Sequence, residues 1–363
     1  MKILHVVGAR PNFMKIAPII AEMRRYPEIF EQRLIHTGQH YDDNMSRVFF
    51  NDLELPMPDD FLNVGSGTHA QQTAQVMMAF EPVLRKYVPD WVIVVGDVNS
   101  TMACTLVCAK MGVRVAHVEA GLRSGDRRMP EEINRIVTDQ LADLLFTPSR
   151  DGDENLLREG VSPERIKFVG NVMIDTLAKM LPKAVKSDVL ERLCLSQGRY
   201  ILVTLHRPSN VDDQTALAEI CCALSSLSHT NKLVFPLHPR TRRKLVDFGL
   251  ERKLTNVLLI EPQGYLDFLS LINFSALILT DSGGVQEETT YLGVPCVTVR
   301  PNTERPVTIA SGTNRLVESK CNSIIDAVEA ALARPVRRPS PPEYWDASAA
   351  RRIVDVFVST VGA

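Results

Sequence analysis

The stretch from Trp91 to Glu119, "WVIVVGDVNSTMACTLVCAKMGVRVAHVE", decides how the chain is read. It opens on a continuous apolar run, "WVIVVGD" (91–97), and closes on another, "VRVAHVE" (113–119), with a helical stretch between. Strand, helix and strand in that order predict two parallel neighbours joined by a right-handed crossover. The same alternation extends outward in both directions. Valine- and isoleucine-rich runs recur at "ILHVV" (3–7), "RLIHTG" (33–38) and "LLFTPS" (144–149). A second series follows at "YILVTLH" (200–206), "KLVFPLH" (232–238), "VLLIEP" (257–262), "ALILTDS" (276–282) and "CVTVR" (296–300). Helical patterns such as 69–87 lie between the runs, which predicts α/β architecture with helices on both faces of parallel sheets. The boundary between the two series falls near 172–198. The expected division is 1–172 and 173–343, two similar α/β halves around a cleft. The tail 344–363 has a helical period with Ile353, Val354 and Phe357 on one apolar face, suited to packing back on the first half.

At 363 residues the chain is long enough for two cores. Hydrophobic residues make up 45% and charged residues 23%, the balance of a globular protein. A net charge of −2 gives no basic field to draw nucleic acid or a membrane surface. The clusters "RTRRK" (240–244) and "RPVRRP" (334–339) read as solvated surface. Seven cysteines, without a C-x-x-C and mostly inside apolar runs, read as reduced buried thiols. With no signal peptide pattern and no apolar run approaching about 20 residues, a cytoplasmic protein is expected.

Ligands of open parallel sheets bind beyond the carboxyl ends of the strands, so the residues that finish each strand carry the functional reading. "GARPNFMK" places Arg10 and Lys15 at the start of a helix, where cations gain nothing from the helix dipole unless an anion completes the site. Asp97 and Glu119 each end a run, 22 residues apart with one helix between. On neighbouring strands about 4.8 Å apart they project from one sheet edge. Glu131, in "MPEEINR", follows at a helix start, a position that also suits an ordinary acidic residue. Three carboxylates there are candidates for general acid and base work, with mutual repulsion expected to raise some of their pKa values. A metal site is the rival reading and needs further ligands; the direction of His117 is left open. His206 ends the run in "VTLHRPSN", where a structural role is as good a reading as a functional one. His238 is a weaker candidate. "LTDSGGVQEE" puts Ser282, Gly283 and Gly284 at a strand-to-helix turn of phosphate-binding type, although Asp281 or Ser282 could simply cap the helix. "GSGTHA" (65–70) fits a dinucleotide pattern, but the preceding strand is weak and the required acidic residue is misplaced, so NAD binding is not expected.

Together, "GARPNFMK", "TGQH", "GDVNSTMA", "HVEAGLRSGD", "PEEINR", "GNVMIDT", "TLHRPSN", "TDSGGVQEE" and "ERPVT…GTNRLV" resemble the non-hydrolysing UDP-N-acetylglucosamine 2-epimerases, in family order from residue 5 to about 317. The resemblance implies a GT-B fold, with two Rossmann-like domains facing a central cleft, and a homodimeric cytosolic enzyme without nicotinamide, metal or other cofactor. It implies interconversion of UDP-GlcNAc and UDP-ManNAc by elimination of UDP to 2-acetamidoglucal and re-addition, in surface polysaccharide synthesis. Asp97, Glu119 and Glu131 would be the acid/base set, and which of them takes the proton stays open. Arg10, Lys15 and His206 would lie near the diphosphate and sugar, and Ser282, Gly283 and Gly284 would form the phosphate loop. Gln263 and Phe268 would meet the uracil, Glu288 the ribose, and Arg305 another part of UDP. The alternatives are an epimerase of a modified UDP-2-acetamido sugar, such as a diacetamido uronic acid, or a GT-B UDP-sugar glycosyltransferase. A second, activating nucleotide-sugar site is not expected, because "GQHYDDN" keeps Gln39 and His40 but lacks a further glutamine.

Overall fold

The computed structural model describes residues 1–38, 53–333 and 340–361. The chain forms two compact units, Met1–Thr176 with Glu343–Ala363, and Leu177–Pro342.

The first unit is built on a seven-stranded sheet of β1 (Lys2–Val7), β2 (Glu31–His36), β3 (Asp60–Phe61), β4 (Trp91–Val95), β5 (Arg114–Val118), β6 (Leu144–Thr147) and β7 (Ile166–Phe168), in the order β3-β2-β1-β4-β5-β6-β7. All neighbours are parallel, and β1 pairs with both β2 and β4. The order reverses between β1 and β4, and that reversal is where a ligand crevice opens in such sheets. All five residues of β4 are buried, which explains its unbroken apolar run: helices cover both faces. Helix Asn99–Met111 makes the β4-to-β5 crossover and stops at Gly112, whose φ of 71° suits a left-handed C-cap. The "GSGTHA" stretch has a local explanation. Thr68 caps helix His69–Tyr87, its hydroxyl accepting from the backbone N–H of Gln71.

Helix Ala349–Val361 completes this unit by packing on helix Arg10–Met23. Ile353, Val354 and Phe357 are wholly buried. The Phe357 ring lies 5.5 Å from Trp91 and 5.8 Å from Phe146. Asp175 caps the helix by accepting from the backbone N–H groups of Ala349 and Ala350 at 3.1 and 2.7 Å.

The second unit has a six-stranded parallel sheet of β8 (Tyr200–Thr204), β9 (Lys232–Pro236), β10 (Leu258–Ile260), β11 (Leu277–Thr280), β12 (Cys296–Val299) and β13 (Asn314–Val317). Its order, β10-β9-β8-β11-β12-β13, reverses between β8 and β11. Separate apolar clusters fill the two faces, one around Leu224, Phe235 and Leu279, the other around Tyr200, Leu202 and Ile278.

One expectation is corrected here. Cys222 and Cys321 form a disulfide, with Cα atoms 5.7 Å apart, between helices Gln214–Leu227 and Cys321–Leu332. The two cysteines are 99 residues apart in sequence, and only the packing of these helices brings them together. The other five are free, and all but Cys194 are buried.

Candidate functional site

In the first unit the candidate residues gather at the carboxyl ends of the neighbouring strands β1, β4 and β5. Gly8 is required for space: a Cβ there would lie 2.5 Å from Ser100 Oγ and 2.9 Å from Thr37 Oγ1. Its φ is not in the left-handed region, so close approach rather than backbone freedom calls for glycine here. Arg10 opens helix Arg10–Met23. Asn12, which the sequence reading passed over, accepts from the N–H groups of Gly8 and Ala9 at 3.1 and 2.9 Å and donates to the Val95 carbonyl at 2.9 Å. It thereby locks the β1 turn to the end of β4.

Asp97 and Glu119 follow neighbouring parallel strands, and each carboxylate is ion-paired. Glu119 pairs with Lys15, and both are buried. Asp97 Oδ2 lies 2.9 Å from Nη1 of the buried Arg135. Glu119 has a φ of 72°, a left-handed conformation that costs a non-glycine residue roughly 1–3 kcal/mol. The strand therefore ends at Val118. Gly96 is also left-handed, at φ 68°, and a Cβ on it would sit 2.8 Å from Lys15 Nζ. The turn before Asp97 is thus closely packed around the Lys15–Glu119 pair.

Helix Pro130–Leu141 separates the two adjacent glutamates by role. Glu132 is buried, accepts from Ser124 N at 2.9 Å and Gly125 N at 2.9 Å, and lies 3.0 Å from Arg135 Nη2. Glu131 is half-buried and has no hydrogen-bond or ion-pair partner among the described residues. His117 is structural: wholly buried, with Nδ1 2.6 Å from Asp139 and Nε2 2.8 Å from the Gly96 carbonyl. Burial acts most strongly on Asp139 and would raise its pKa, but His117 and Arg123 together hold it below the ordinary value. Among the described residues, no group of three or more His, Cys, Asp or Glu side chains is placed to hold a metal ion.

In the second unit the ends of β8 and β11 meet at the reversal point through Asp281. This fully buried carboxylate accepts from the N–H groups of His206 at 3.1 Å and Arg207 at 2.9 Å, and from Asn210 Nδ2 at 3.1 Å. It also lies 3.0 Å from His206 Nδ1. Burial pushes its pKa up, but His206 and these donors outweigh that, and the group sits below its ordinary value. Asp281 therefore fixes His206 through Nδ1 and the backbone N–H rather than capping the next helix. His238 caps helix Pro239–Asp247 through Nδ1, 3.2 Å from Arg240 N.

Ser282 stands at the N-cap of helix Gly283–Leu292 without a side-chain cap bond. A Cβ on Gly283 would lie 2.6 Å from Arg305 Nη1, whereas one on Gly284 would meet nothing within 4 Å. The neighbouring Glu287 and Glu288 divide their roles. Glu287 is paired with Arg305 Nε at 2.9 Å. Arg305 also pairs with Glu304, which Arg300 holds at 2.7 Å. Glu304 has burial against it, but Arg305 and Arg300 keep it far below the ordinary carboxylate range. Glu288 accepts from the Tyr265 hydroxyl at 3.2 Å, and burial raises its pKa to about 8. Gln263 is half-buried and donates to the Glu261 carbonyl at 2.7 Å. Phe268 packs against the Tyr200 cluster. The structure thus gathers Lys15, Asp97 and Glu119 in one unit, with Glu131 on the helix that carries Arg135. It gathers His206, Ser282, Gly283 and Arg305 in the other, with Glu288 further along the helix. Gln39 and His40 lie outside the described residues. Arg135 is the main residue the sequence reading missed, and its only signal was its place one turn beyond the glutamates in "PEEINR"; Asp281 was named there, but only as a cap.

Comparison with known proteins now adds to this geometry. A family described as UDP-N-acetylglucosamine 2-epimerase matches residues 21–358. A Methanococcus maripaludis protein named UDP-N-acetylglucosamine 2-epimerase is 42% identical over 98% of both chains. A Pseudomonas aeruginosa protein named UDP-2,3-diacetamido-2,3-dideoxy-D-glucuronate 2-epimerase is also 42% identical, over 93% of this chain and 94% of its own. The Methanocaldococcus jannaschii UDP-GlcNAc 2-epimerase, solved in complex with UDP-GlcNAc and UDP, is similar with a TM-score of 0.92 and 42% identity, covering 99% of this chain and 100% of that one. The two parallel-sheet α/β units described above are those of the GT-B fold.

Proposed function

We propose that this chain, which belongs to the UDP-N-acetylglucosamine 2-epimerase family, interconverts UDP-N-acetylglucosamine and UDP-N-acetylmannosamine at C2. The observation that carries the reading is the pair of ion-paired carboxylates, Asp97 and Glu119, at the ends of neighbouring strands in a chain related to its family end to end. The C2 hydrogen is not next to a carbonyl, so its removal must be driven by departure of the diphosphate. One carboxylate of the Asp97, Glu119 and Glu131 set takes the C2 proton as the bond from C1 to the diphosphate oxygen breaks. The electron pair becomes the C1–C2 double bond of 2-acetamidoglucal. UDP then adds back at C1 while a carboxylic acid delivers a proton to the opposite face of C2. Arg10, Lys15 and His206 act near the diphosphate and sugar. Ser282, Gly283, Gly284 and Arg305 hold the departing UDP, where fixed cations and backbone donors stabilise developing charge without reorganising. Gln263 and Phe268 serve the uracil, and Glu288 the ribose.

Incubating the protein with UDP-GlcNAc in D2O tests this: deuterium at C2 and UDP-ManNAc are expected, and neither appearing would overturn it. Substituting Asp97→Asn, Glu119→Gln or Glu131→Gln should each lower kcat by about 10²–10⁴-fold, with UDP affinity largely retained by calorimetry. Full turnover in all three would overturn the acid/base assignment.

The Pseudomonas relative favours a second reading, epimerisation of a diacetamido uronic acid nucleotide. A small panel of UDP-sugars, ranked by kcat/KM, separates the two. A cytoplasmic homodimer is the further reading that goes with the family, and light scattering of the purified protein tests the dimer. No helix among the described residues is long and apolar enough to cross a membrane.

A further inference from the structure

Arg135 is 1% exposed, in the first turns of helix Pro130–Leu141. Its Nη1 lies 2.9 Å from Asp97 Oδ2 and its Nη2 3.0 Å from Glu132 Oε2. The adjacent Asn134 donates through Nδ2 to the Asp97 carbonyl oxygen at 2.9 Å. One short segment therefore grips both the side chain and the backbone of residue 97. The exposures show the direction of the grip: the Asp97 side chain is 28% exposed, the Arg135 side chain 2%. The cation stands on the buried side of the carboxylate, which keeps partial access to solvent. Glu132 is already served by the N–H groups of Ser124 and Gly125 and by the Ser124 hydroxyl. Burying a guanidinium solely to hold that loop would be an expensive solution, since a buried cation costs several kcal/mol unless paired.

We propose that Arg135 is a positioning residue for Asp97, bridging it to Glu132 so that the carboxylate is held at one angle. This rests on the acid/base reading of Asp97 above. A planar fork suits the task because it reaches two carboxylates at once, which a lysine ammonium on a flexible stem does not do in the same geometry. Among the described residues, the charged groups of the neighbouring Glu119 and His117 positions are already engaged. Lys15 pairs with Glu119, and His117 with Asp139 and the Gly96 carbonyl.

The test compares wild type, Asp97→Asn, Arg135→Lys and Arg135→Gln by UDP-GlcNAc turnover, C2 deuterium exchange and thermal midpoint. Arg135→Gln should lower kcat by about 10²-fold, with KM and UDP affinity within about threefold. Its kcat should also fall away at a higher pH on the acid side, because the carboxylate has lost its cation. Arg135→Lys should fold with a near-normal midpoint, lose about tenfold in kcat and keep the wild-type acid limb. If Arg135→Gln does not fold, Arg135→Lys carries the test through the same split of kcat from KM. Wild-type kcat in either variant overturns the proposal. So do kcat losses that merely track a falling thermal midpoint, or losses in KM and kcat together. If wild type itself neither epimerises nor exchanges, the functional reading fails. If wild type turns over, Asp97→Asn is crippled and the Arg135 variants are normal, only the positioning role fails.

Discussion

Glu288 gives the second unit a pH-dependent weakness that can be measured without any substrate. The side chain is buried, touches the Tyr265 hydroxyl and has its pKa raised by burial from 4.5 to about 8. In the unfolded chain it titrates near its ordinary value, so between those limits the folded form keeps a proton that the unfolded form releases. A folded-state pKa raised in this way contributes stability that is fully present below the unfolded pKa and is lost as pH rises through about 8. Each pH unit in that window costs about 1.4 kcal/mol, so the loss between pH 6 and pH 9 is about 2.5 kcal/mol. Glu288→Gln keeps the shape and removes the titration. The variant should therefore gain on wild type by about that amount between pH 6 and pH 9. For a unit of this size that corresponds to a change of about 5–10 °C in the difference between their thermal midpoints. Differential scanning calorimetry of both proteins at the two pH values reads it directly, since every other titrating group is common to the pair. An identical midpoint difference at pH 6 and pH 9 would mean that Glu288 is not held neutral by burial, and the assignment would fall.

Three other substitutions probe the remaining supports. Asp281→Asn should release His206 from its fixed angle and lower kcat by about 10²-fold; His238→Asn, at the neighbouring helix cap, should leave kcat within a few-fold in the same assay. Phe357→Ala removes a wholly buried ring from between Trp91 and Phe146 and should cost about 3–5 kcal/mol in urea unfolding of the first unit. Gly283→Ala would drive a methyl against Arg305, 2.6 Å from Nη1, and should weaken UDP binding by calorimetry, whereas its neighbour Gly284 has room for a methyl and Gly284→Ala should leave the thermal midpoint unchanged.

The strands were legible because burial on both faces writes itself as unbroken apolar runs, as in β4 and β11. The loaded strand ends were legible for the converse reason, since a charged residue that terminates such a run has few structural excuses. Partnership was not legible. Nothing in "GDVNS" announces that Asp97 meets Arg135, 38 residues later, because the pairing depends on how one helix lies against the sheet edge. Asp281 was weighed only as an alternative cap for the next helix, yet its partners come from a segment some 75 residues earlier. The Cys222–Cys321 pairing was hidden in the same way, by helix packing that composition does not encode. His117 could be settled only by seeing both ring nitrogens occupied. Local grammar identified which residues were chemically loaded; long-range packing decided what each one does.

Because the first unit takes residues from both sides of the second, the order of synthesis and the order of completion differ. A ribosome delivers Trp91 and Phe146 early, but Phe357, the ring that covers them, leaves the tunnel only after the whole second unit has been made. At the roughly 5–20 residues per second of translation, about 200 intervening residues leave that apolar surface uncovered for 10–40 seconds. Helix Ala349–Val361 therefore acts as a timed closure for a core laid down much earlier, and that core stays exposed to aggregation until the helix arrives.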